Sequence, residues 1–585
     1  MTLNIFKNPR RLRRFALLFA IISVAALTGV LARTAQGDSA FFLPGNLVVS
    51  RSVYVDTGTI VQGTTVLPPA CSPANCPTPV TAVTDGTYPY VFNNDLIDGS
   101  FGITSKIYLD QLTPAGALVD SLEVPNSSQN GVPPTKDQMV TSFSSKSEMA
   151  LNLSTDDNYL TFMGYLAPIG AIDISNSNTP AIFDPSNPDG LSNYRVVAQV
   201  DQHGKFHFTK TNSYSGNNGR AAILNNSLGA NLFYLSGNAG NGGNPQPDGI
   251  IAGAGAQIVS PEIKAEVAQT PGVPMPVASF NITQLGDAAD KIGKDTNFRG
   301  LTIFNNVLYY TKGSGGNGIN TVYFVDTTGN VCSDSTGVGL PSPGASLPTS
   351  PLAYDPAALQ TKGLDPNNMC ILKGFPTALK SKTSFPFGIW FASPTVLYVA
   401  DEGTGYAGGL DLYSQAAAQT TAGLQKWVFG TPVAGQWNLA YTLNKGLGLG
   451  VPYTVTGYPT GMNLATCVVG KNAPNPNNCP VSKTLSSKSP FLYSAPDGLP
   501  WSPAADGLRN ITGVVNSDGT ATIYGVTSTI SGNGDQGADP NQLVAITDNL
   551  SATTLPSTET FSVLKTAAYG EVLRGVSWTP GSAKH

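Results

Sequence analysis

The sequence predicts an all-β fold, mainly because one short stretch recurs six times. Each copy has a polar or aromatic entry residue near its start, often followed by glycine, and continues as a run of mainly apolar residues that favour strands. The copies are 146–154, 217–224, 297–304, 385–392, 508–515 and 573–580. A second strand is predicted after five of them. A repeated strand–turn–strand unit is typical of a β-propeller, so we predict a single propeller of six blades, or seven if an insertion hides a divergent unit.

The two ends of the chain complete one another in this fold. Strands are predicted at 45–55 and in a hairpin over 105–125, ahead of the first copy, whereas the last copy has almost no chain after it. We therefore expect the N-terminal strands to pair with the C-terminal inner strand and close the ring, which removes exposed sheet edges. The 63 Gly and 44 Pro residues favour long loop insertions, and residues 41–585 are predicted to form one domain.

Residues 1–40 are predicted to be a signal peptide with its cleavage region. Basic residues between Lys7 and Arg14 precede an apolar run over 15–31, and small residues follow it. We expect export, with the mature protein secreted or held in the periplasm or cell envelope, and with no membrane span after cleavage. The alternative is an uncleaved anchor, because the apolar run is close to the shortest length that spans a bilayer.

Six cysteines follow the signal, and an even number favours disulfides in an exported protein. Each neighbouring pair brackets a loop rich in Pro, Gly or Asn. We therefore expect three local pairings, namely Cys71 with Cys76, Cys332 with Cys370, and Cys467 with Cys479. A metal site is the poorer interpretation, since there is no CxxC motif and the spacings are irregular.

Several of these stretches together resemble a known family. The stretches, in order, are GNLVV (from Gly45), KIYLDQLTPAGALVDSL (from Lys106), YSGNNGR (from Tyr214), LYVADEG (from Leu397), GLQKW (from Gly423) and RGVSW (from Arg574). Their order resembles a family of exported, largely uncharacterised bacterial β-propeller proteins. The resemblance covers most of the chain and implies the fold and export, but it implies no catalytic residues. LYVADEG also resembles, more weakly, NHL-type and lactonase-like propellers.

The first residues of the six repeated strands are the main candidates for a ligand site. Inner strands of a propeller begin at one face of the ring, so these residues should surround the mouth of the central channel. They are Glu148, Arg220, Arg299, Phe387, Arg509 and Arg574. Guanidinium groups bind carboxylate, phosphate and sulfate bidentately, which favours an anion or acidic-sugar site. The alternative is that each arginine locks its blade to the next through backbone carbonyls or a neighbouring acid.

Loops after the second strands should lie over the same mouth. Their polar residues are Asn238, Lys312, Asp401, Glu402, Asp535 and Asp539. Asp401 and Glu402 could bind Ca²⁺ through oxygen ligands or act as acid and base, although loop carboxylates are more often solvated or cap a turn. Five tryptophans could stack on sugars, namely Trp390, Trp427, Trp437, Trp501 and Trp578. Most of them lie in predicted strands, so we interpret them as core residues.

The composition argues against several functions. Only 12% of residues are charged, the net charge is -5, and no Lys/Arg cluster follows residue 14, so we expect no nucleic-acid partner. Two of the three histidines, His203 and His207, lie across one hairpin turn in an outer strand. This scarcity argues against quinoprotein dehydrogenases, zinc hydrolases and copper oxidases. Neither a GxSxG motif nor a Walker-type loop is present.

We expect an exported binding or scaffold protein that recognises an anionic small molecule or polysaccharide at the arginine-ringed mouth. One alternative is a secreted hydrolase or lyase that acts on sugars or lactones through Glu148, Asp401 or Glu402 with Ca²⁺. The other is a structural component of a surface assembly. An enzyme needs a carboxylate and an arginine to meet in a closed pocket, whereas a binder needs only an open face. The sequence alone decides neither this question nor the identity of a protein partner.

Overall fold

The chain is described by a computed structural model in two compact units, Met1–Phe41 and Phe42–His585. The first unit lies almost entirely outside the described residues, so the fold reported below is that of the second. The described residues are 40–61, 64–67, 80–81, 102–125, 138–179, 193–211, 213–238, 255–261, 281–283, 297–313, 319–327, 338–341, 345–349, 367–378, 384–405, 412–456, 502–530 and 537–582.

Strands make up nearly all the regular structure in these ranges. The first half contains β1 (Leu47–Val53), β2 (Val66–Leu67), β3 (Val80–Thr81), β4 (Thr104–Leu112), β5 (Leu118–Glu123), β6 (Gln138–Ser142), β7 (Asn152–Leu153), β8 (Tyr159–Ala167), a 3-10 helix (Ile174–Asn176), β9 (Arg195–Asp201), β10 (Phe206–Thr211), β11 (Gly219–Asn225), β12 (Leu232–Gly237), β13 (Ala256–Val259) and β14 (Asn281–Thr283). The second half contains β15 (Phe298–Phe304), β16 (Val307–Lys312), β17 (Thr321–Val325), β18 (Asn367–Ile371), β19 (Pro386–Ser393), β20 (Val396–Asp401), α1 (Leu412–Ala417), β21 (Gly423–Phe429), β22 (Trp437–Leu443), β23 (Ala504–Val515), β24 (Thr520–Ile530), β25 (Gln542–Asn549), β26 (Ser562–Thr566) and β27 (Glu571–Trp578). The predicted all-β class is confirmed.

Four sheets have the form of propeller blades, because their strands follow one another across the sheet in chain order. Their strand orders are β11-β12-β13, β15-β16-β17-β18 with β14 added beside β18, β19-β20-β21-β22, and β23-β24-β25-β26. Each sheet begins with one of the repeated stretches, as the sequence predicted. The arrangement is that of a β-propeller.

The strands of the other two repeats form one nine-stranded sheet. Its order is β10-β9-β8-β6-β4-β1-β27, with β5 paired to β4 and β7 paired to β8. The predicted pairing of the chain ends is present, since β1 runs antiparallel to β27 with Leu47 opposite Trp578. The described residues therefore contain four separate blade sheets rather than the predicted six or seven. The physical reason is β6, which pairs with both β4 and β8 and so joins the strands of two repeats.

The glycine that follows the first residue of several repeats has a packing role. A Cβ on Gly300 would lie 2.4 Å from the carbonyl oxygen of Phe387, and one on Gly388 would lie 2.5 Å from that of Arg509. A Cβ on Gly575 would similarly lie 2.5 Å from a carbonyl oxygen of the stretch leading into β7. Each oxygen belongs to the next inner strand or its lead-in. Neighbouring inner strands therefore approach so closely that a larger residue would clash with backbone.

The core lies where neighbouring sheets pack face to face. Phe391 of β19 stacks on Phe304 of β15 with ring centroids 4.5 Å apart, and it meets Trp437 of β22 edge-on at 5.9 Å. Phe375, just after β18, stacks on Trp427 of β21 at 4.0 Å. Burying a large apolar side chain stabilises a fold by about 1.5–3 kcal/mol. Phe391, Trp427 and Trp437 thus belong to the core.

One repeated stretch is much less regular than predicted. In the copy at 146–154, only Asn152–Leu153 forms a strand, β7. The residues before it turn instead, with Met149 in the left-handed region at φ 63°. Side-chain hydrogen bonds to Glu148, described below, hold this turn in place.

The disulfide and targeting predictions fall mainly on residues that the structure does not describe. Cys370 in β18 is buried and disulfide-bonded. The other five cysteines, Asp535 and residues 1–39 lie outside the described residues, so the three pairings and the signal stay predictions. Within the described part, no helix combines the length and apolar character needed to cross a membrane.

Candidate functional site

The six candidate residues at the starts of the repeats are buried. Their exposed fractions run from 1% for Glu148 to 5% for Arg220. Four of them are arginines, a residue type that is almost never fully buried without partners. They therefore form part of a closed interior, not the exposed rim of the predicted open mouth. What each arginine contacts decides what the interior can bind.

Glu402, which directly follows β20, is the centre of this cluster. Its Oε1 lies 3.3 Å from Arg299 Nη2, and its Oε2 lies 3.5 Å from Arg509 Nε. Burial opposes ionisation of this carboxyl, but the positive charges of Arg299, Lys146, Arg509 and Arg220 outweigh burial and hold the pKa of Glu402 below its usual value. Glu402 is thus an ionised counterion shared by several cations. We call Arg220, Arg299, Arg509, Lys146 and Glu402 the arginine cluster.

Arg220 is only partly satisfied by the protein. Its Nη1 donates to the carbonyl oxygen of Phe298 at 2.8 Å and to Oδ1 of Asn297, both in the stretch that begins the next blade. Its Nε is buried and has no hydrogen-bond partner among the described residues. Burial, and next the positive charge of Arg299, lower the pKa of Arg220 well below its usual value. Arg220 therefore locks two blades together and also leaves a donor and a charge incompletely matched.

Arg299 contacts three separate parts of the chain. Besides Glu402, its Nη1 donates to the hydroxyl of Ser147, in the turn before β7. Its guanidinium also lies 5.7 Å from the ring centroid of Phe387, a cation–π distance. Phe387 thus takes the place that an arginine occupies in other repeats and supports a neighbouring arginine with its ring.

Arg574 fits the blade-lock interpretation that the sequence left open. Its Nε donates to Ser52 Oγ at 3.1 Å, and its two terminal nitrogens donate to the backbone carbonyls of Ser145 and Phe143. All three nitrogens of the guanidinium thus have oxygen partners within the protein. Among the four arginines, Arg574 is the one whose contacts are most clearly structural.

Glu148 is held by neutral donors. Its carboxylate accepts hydrogen bonds from Thr141 Oγ1 at 2.7 Å, the Ser142 amide at 3.0 Å, Asn218 Nδ2 at 3.0 Å and the Tyr165 hydroxyl. Four donors use most of the acceptor capacity of a carboxylate. Glu148 therefore joins β6, β8 and the start of β11, rather than neutralising one arginine by direct contact.

Asp401 caps the turn that follows β20. It accepts hydrogen bonds from the amides of Phe385 at 2.9 Å and Gly403 at 3.0 Å, and from Gln425 Nε2 at 3.0 Å and Ser384 Oγ at 3.3 Å. Burial nevertheless raises the pKa of Asp401 to about 7. Its side chain and that of Glu402 have entirely different partners.

The partners of these two carboxylates do not resemble a calcium site. Asp401 is surrounded by hydrogen-bond donors and Glu402 by cations. A Ca²⁺ ion instead needs about six to eight oxygen ligands. In the ranges that the structure describes, no group of three or more His, Cys, Asp or Glu side chains is placed to hold a metal ion. Binding of Ca²⁺ at Asp401 and Glu402 stays a prediction.

Two charged residues of the site were missed by sequence reasoning. Lys146 lies two positions before Glu148, and Asp506 lies three positions before Arg509. Asp506 is 1% exposed and accepts hydrogen bonds from the Gly405 amide at 2.8 Å and from the side chain of Gln419. Burial raises the pKa of Asp506 to about 6. A charge so close to a repeat in a chain with few charges is the signal that could have identified both residues.

The remaining candidates lie in varied places. Asn238 bridges to Asn297, Lys312 is fully buried at the end of β16, and Asp539 is buried just before β25. His203 lies in the β9–β10 turn and His207 in β10, away from the inner strands. None of these five belongs to the arginine cluster as defined above.

A cavity of about 230 Å³ lies toward the other end of the inner strands. Its walls come from all six repeated stretches and include Leu153, Ile223, Phe304, Phe391, Ile511 and Trp578. Each of these residues lies later in its stretch than the corresponding candidate residue. The arginine cluster and this cavity are therefore two distinct places along the inner strands.

Comparison with known proteins identifies no family for this chain. No protein-family model matches the chain, and no curated protein matches it. Among solved structures, a mutant of a levansucrase from B. megaterium aligns over 92% of this chain and 95% of that chain, with 8% sequence identity and a TM-score of 0.23. A score this low supports no conclusion about shared fold or activity. The resemblance to a family of exported propellers stays a prediction.

Proposed function

We propose that the protein is an exported β-propeller binding protein that holds a small anion, or one acidic group of a polysaccharide, at the arginine cluster. The observation that carries the proposal is that Arg299 and Arg509 lie 3.3 Å and 3.5 Å from one carboxylate, Glu402, whose pKa the charges of Lys146 and Arg220 also lower. Such a concentration of positive charge, in a chain of which only 12% of residues are charged, is suited to an anionic group.

The balance of charge inside the cluster supports an anion. Among the described residues, the charges of Arg299, Lys146, Arg509 and Arg220 all act on Glu402, and Glu148 also acts on Arg220. The nearby Asp506, whose pKa is about 6, carries a charge only near neutral pH and above. Burial lowers the pKa of both Arg220 and Arg509, and the charge of Arg299 adds to the effect. An uncompensated charge away from water is costly. A bound anion would restore part of the lost solvation and accept a hydrogen bond from Arg220 Nε.

The burial of the cluster limits the size of the ligand. Arg220, Arg299 and Arg509 are each only 4–5% exposed. A phosphate, a sulfate, or a carboxylate of a sugar acid is small enough to contact several guanidinium groups at once. A long polymer would reach the cluster through one such group.

A hydrolase or lyase is the second candidate, and one observation favours it. Two carboxyl groups whose charges act on Arg509 have pKa values shifted in opposite directions, Glu402 downward and Asp506 to about 6. Carboxyl pairs of this kind are typical of acid–base catalysis. This function predicts turnover of acidic glycosides or lactones by the wild type and its loss in Asp506→Asn, whereas a binding protein shows binding without turnover.

We also propose that the six repeats form one closed ring in which the nine-stranded sheet supplies two blades. Contacts between successive repeats support this. The Ala150 amide donates to Arg220 O at 3.3 Å, Arg220 Nη1 donates to Phe298 O at 2.8 Å, and the Val576 amide donates to Asn510 Oδ1 at 2.6 Å. The cavity walled by all six stretches gives independent support.

Export is a further part of the proposed function. It predicts that the mature protein is recovered outside the cytoplasm and begins within or just after residues 32–40. Mass measurement of the mature N-terminus would check both points. Recovery of the full-length chain in the membrane fraction would instead indicate an uncleaved anchor.

The anion proposal is tested by calorimetric titration of the purified protein with sulfate, phosphate and galacturonate. Arg220→Gln should weaken binding by about tenfold or more, the effect of losing a charge-assisted hydrogen bond. Arg574→Gln is the matched control, because it removes an equally buried arginine from the corresponding position of another repeat. Circular dichroism would verify folding of both variants, and Arg220→Lys would replace Arg220→Gln if the latter fails to fold. The proposal is wrong if no anion binds the wild type, or if both substitutions affect binding equally.

A further inference from the structure

The cavity at the opposite end of the inner strands has walls that combine aromatic rings with small polar groups. Phe304 and Phe391 stack on one side, and the partly exposed rings of Trp390 and Trp578 also line it. No Asp, Glu, Lys, Arg or His is among its lining residues within the described part of the chain. The cavity is thus chemically unlike the arginine cluster.

The aromatic walls are held rigidly. Trp578 Nε1 donates to the carbonyl oxygen of Gly513 at 2.9 Å, which fixes the indole against β23. A Cβ on Gly513 would lie 2.8 Å from ring atoms of Trp390, so this glycine allows that indole to lie flat against the same strand. Neither ring needs to reorganise to accept a ligand, which reduces the entropic cost of binding.

Several polar groups of the lining have no partner within the described protein. The side-chain hydroxyls of Thr302, Thr512 and Ser577 make no hydrogen bond there, and Asn152 uses its Nδ2 to donate to Ala222 O at 3.2 Å. The Oδ1 of Asn152 makes no hydrogen bond to the described residues. The lining therefore offers three hydroxyls and one amide oxygen to a ligand.

This chemistry excludes two classes of ligand. A charged ligand would lose its hydration without gaining a countercharge, and this loss costs on the order of several kcal/mol. A wholly apolar ligand would displace water from the three hydroxyls and leave them unsatisfied. A ligand with apolar C–H faces and an edge of hydroxyl groups satisfies both kinds of surface.

We propose that this cavity binds one ring of a neutral sugar, stacked on the tryptophan and phenylalanine rings and hydrogen-bonded to Thr302, Thr512 and Ser577. The cavity volume of about 230 Å³ agrees with a single sugar ring. Pockets that hold drug-sized ligands are larger, with volumes from about 300 Å³ upward. The site is independent of the anion proposed for the arginine cluster, and either could fail without the other.

The test is a titration of the full mature protein with neutral pentoses, hexoses, N-acetylhexosamines and their disaccharides, followed by calorimetry and tryptophan fluorescence. Binding to the wild type should shift the fluorescence. In the double variant Thr302→Val with Thr512→Val, affinity should fall by about thirtyfold, because two hydrogen bonds are lost and each contributes about 1 kcal/mol. Valine keeps the shape and strand preference of threonine.

The matched control is Thr442→Val in β22. Thr442 is also a half-buried strand threonine, with a hydroxyl that makes no hydrogen bond to the described residues, but it does not line the cavity. It should leave sugar affinity unchanged. The proposal is overturned if no neutral sugar binds the wild type, or if the double variant binds as tightly as Thr442→Val. A sugar that binds competitively with sulfate would also overturn it, because the ligand would then occupy the arginine cluster.

Discussion

Replacing Glu402 with glutamine should destabilise the fold by about 3–5 kcal/mol, the usual cost of breaking a buried ion pair from one side. Glu402 lies 3.3 Å from Arg299 and 3.5 Å from Arg509. At an effective dielectric constant of about 20, each contact corresponds to about 5 kcal/mol of attraction before the desolvation of the charges is subtracted. Glutamine keeps the volume and one oxygen but removes the charge, so the cations would repel one another without a counterion.

The assay is urea unfolding at neutral pH, with and without sulfate. Sulfate should recover part of the loss in Glu402→Gln by replacing the missing negative charge, by about 2.7 kcal/mol at a hundredfold excess over its dissociation constant. The control is Glu123→Gln, which breaks a 3.0 Å pair with Lys106 at a partly exposed site and should cost no more than about 1 kcal/mol. Equal losses in the two variants would refute the buried counterion. Equal stabilisation of wild type and Glu402→Gln by sulfate would refute the claim that sulfate replaces the missing charge of Glu402.

Three further outcomes follow from the packing and burial. Gly300→Ala places a Cβ 2.4 Å from a carbonyl oxygen of the next inner strand, and it should lower the free energy of unfolding in urea by about 1–3 kcal/mol or more. In Gly525→Ala the nearest atom to the new Cβ is a methyl carbon at 3.1 Å, so the loss should be smaller. Burial raises the pKa of Asp506 from 3.8 to about 6, so the native state binds the carboxyl proton more tightly than the unfolded state does. The stability that this protonated carboxyl contributes is therefore complete below pH 3.8 and is lost as the pH rises through about 6. Asp506→Asn should remove this pH dependence from a plot of melting temperature against pH. Lys426 lies 2.8 Å from a fully buried carboxylate, and Lys426→Met leaves that carboxylate without its cation. The free energy of unfolding measured by calorimetry should fall by about 3–5 kcal/mol. Lys106→Met, in a partly exposed ion pair, should lower it by about 1 kcal/mol or less.

The inner strands were predictable because the sequence and the packing impose the same constraint. An inner strand is covered by neighbours on both sides, so it must be a continuous apolar run, and the closest approaches require glycine, as at Gly300 and Gly388. These two signals also placed the candidate residues in a common register. The stretch before β7 was the exception, since Met149 turns the chain where the pattern predicted a regular strand.

The joining of two repeats by β6 could not be predicted. Its residues, Gln138–Ser142, carry neither the repeat pattern nor a turn signal, and its pairing depends on two edges that come from distant parts of the chain. The burial of the arginines was hidden for a related reason. Sequence reasoning places arginine at the surface, whereas here the counterion, Glu402, comes from another repeat and is visible only in three dimensions.

Equivalent positions in the repeats have different roles because their side chains meet different partners. Arg574 meets the backbone carbonyls of Phe143 and Ser145, which satisfy its terminal nitrogens, and it has become a blade lock. Arg299 and Arg509 meet the shared carboxylate of Glu402, which compensates only part of their combined charge. A residue type kept at one register therefore does not establish a shared role. The loops and lead-in segments that supply the partners decide which arginines are structural and which can receive a ligand, and the comparison of Arg220→Gln with Arg574→Gln measures that difference directly.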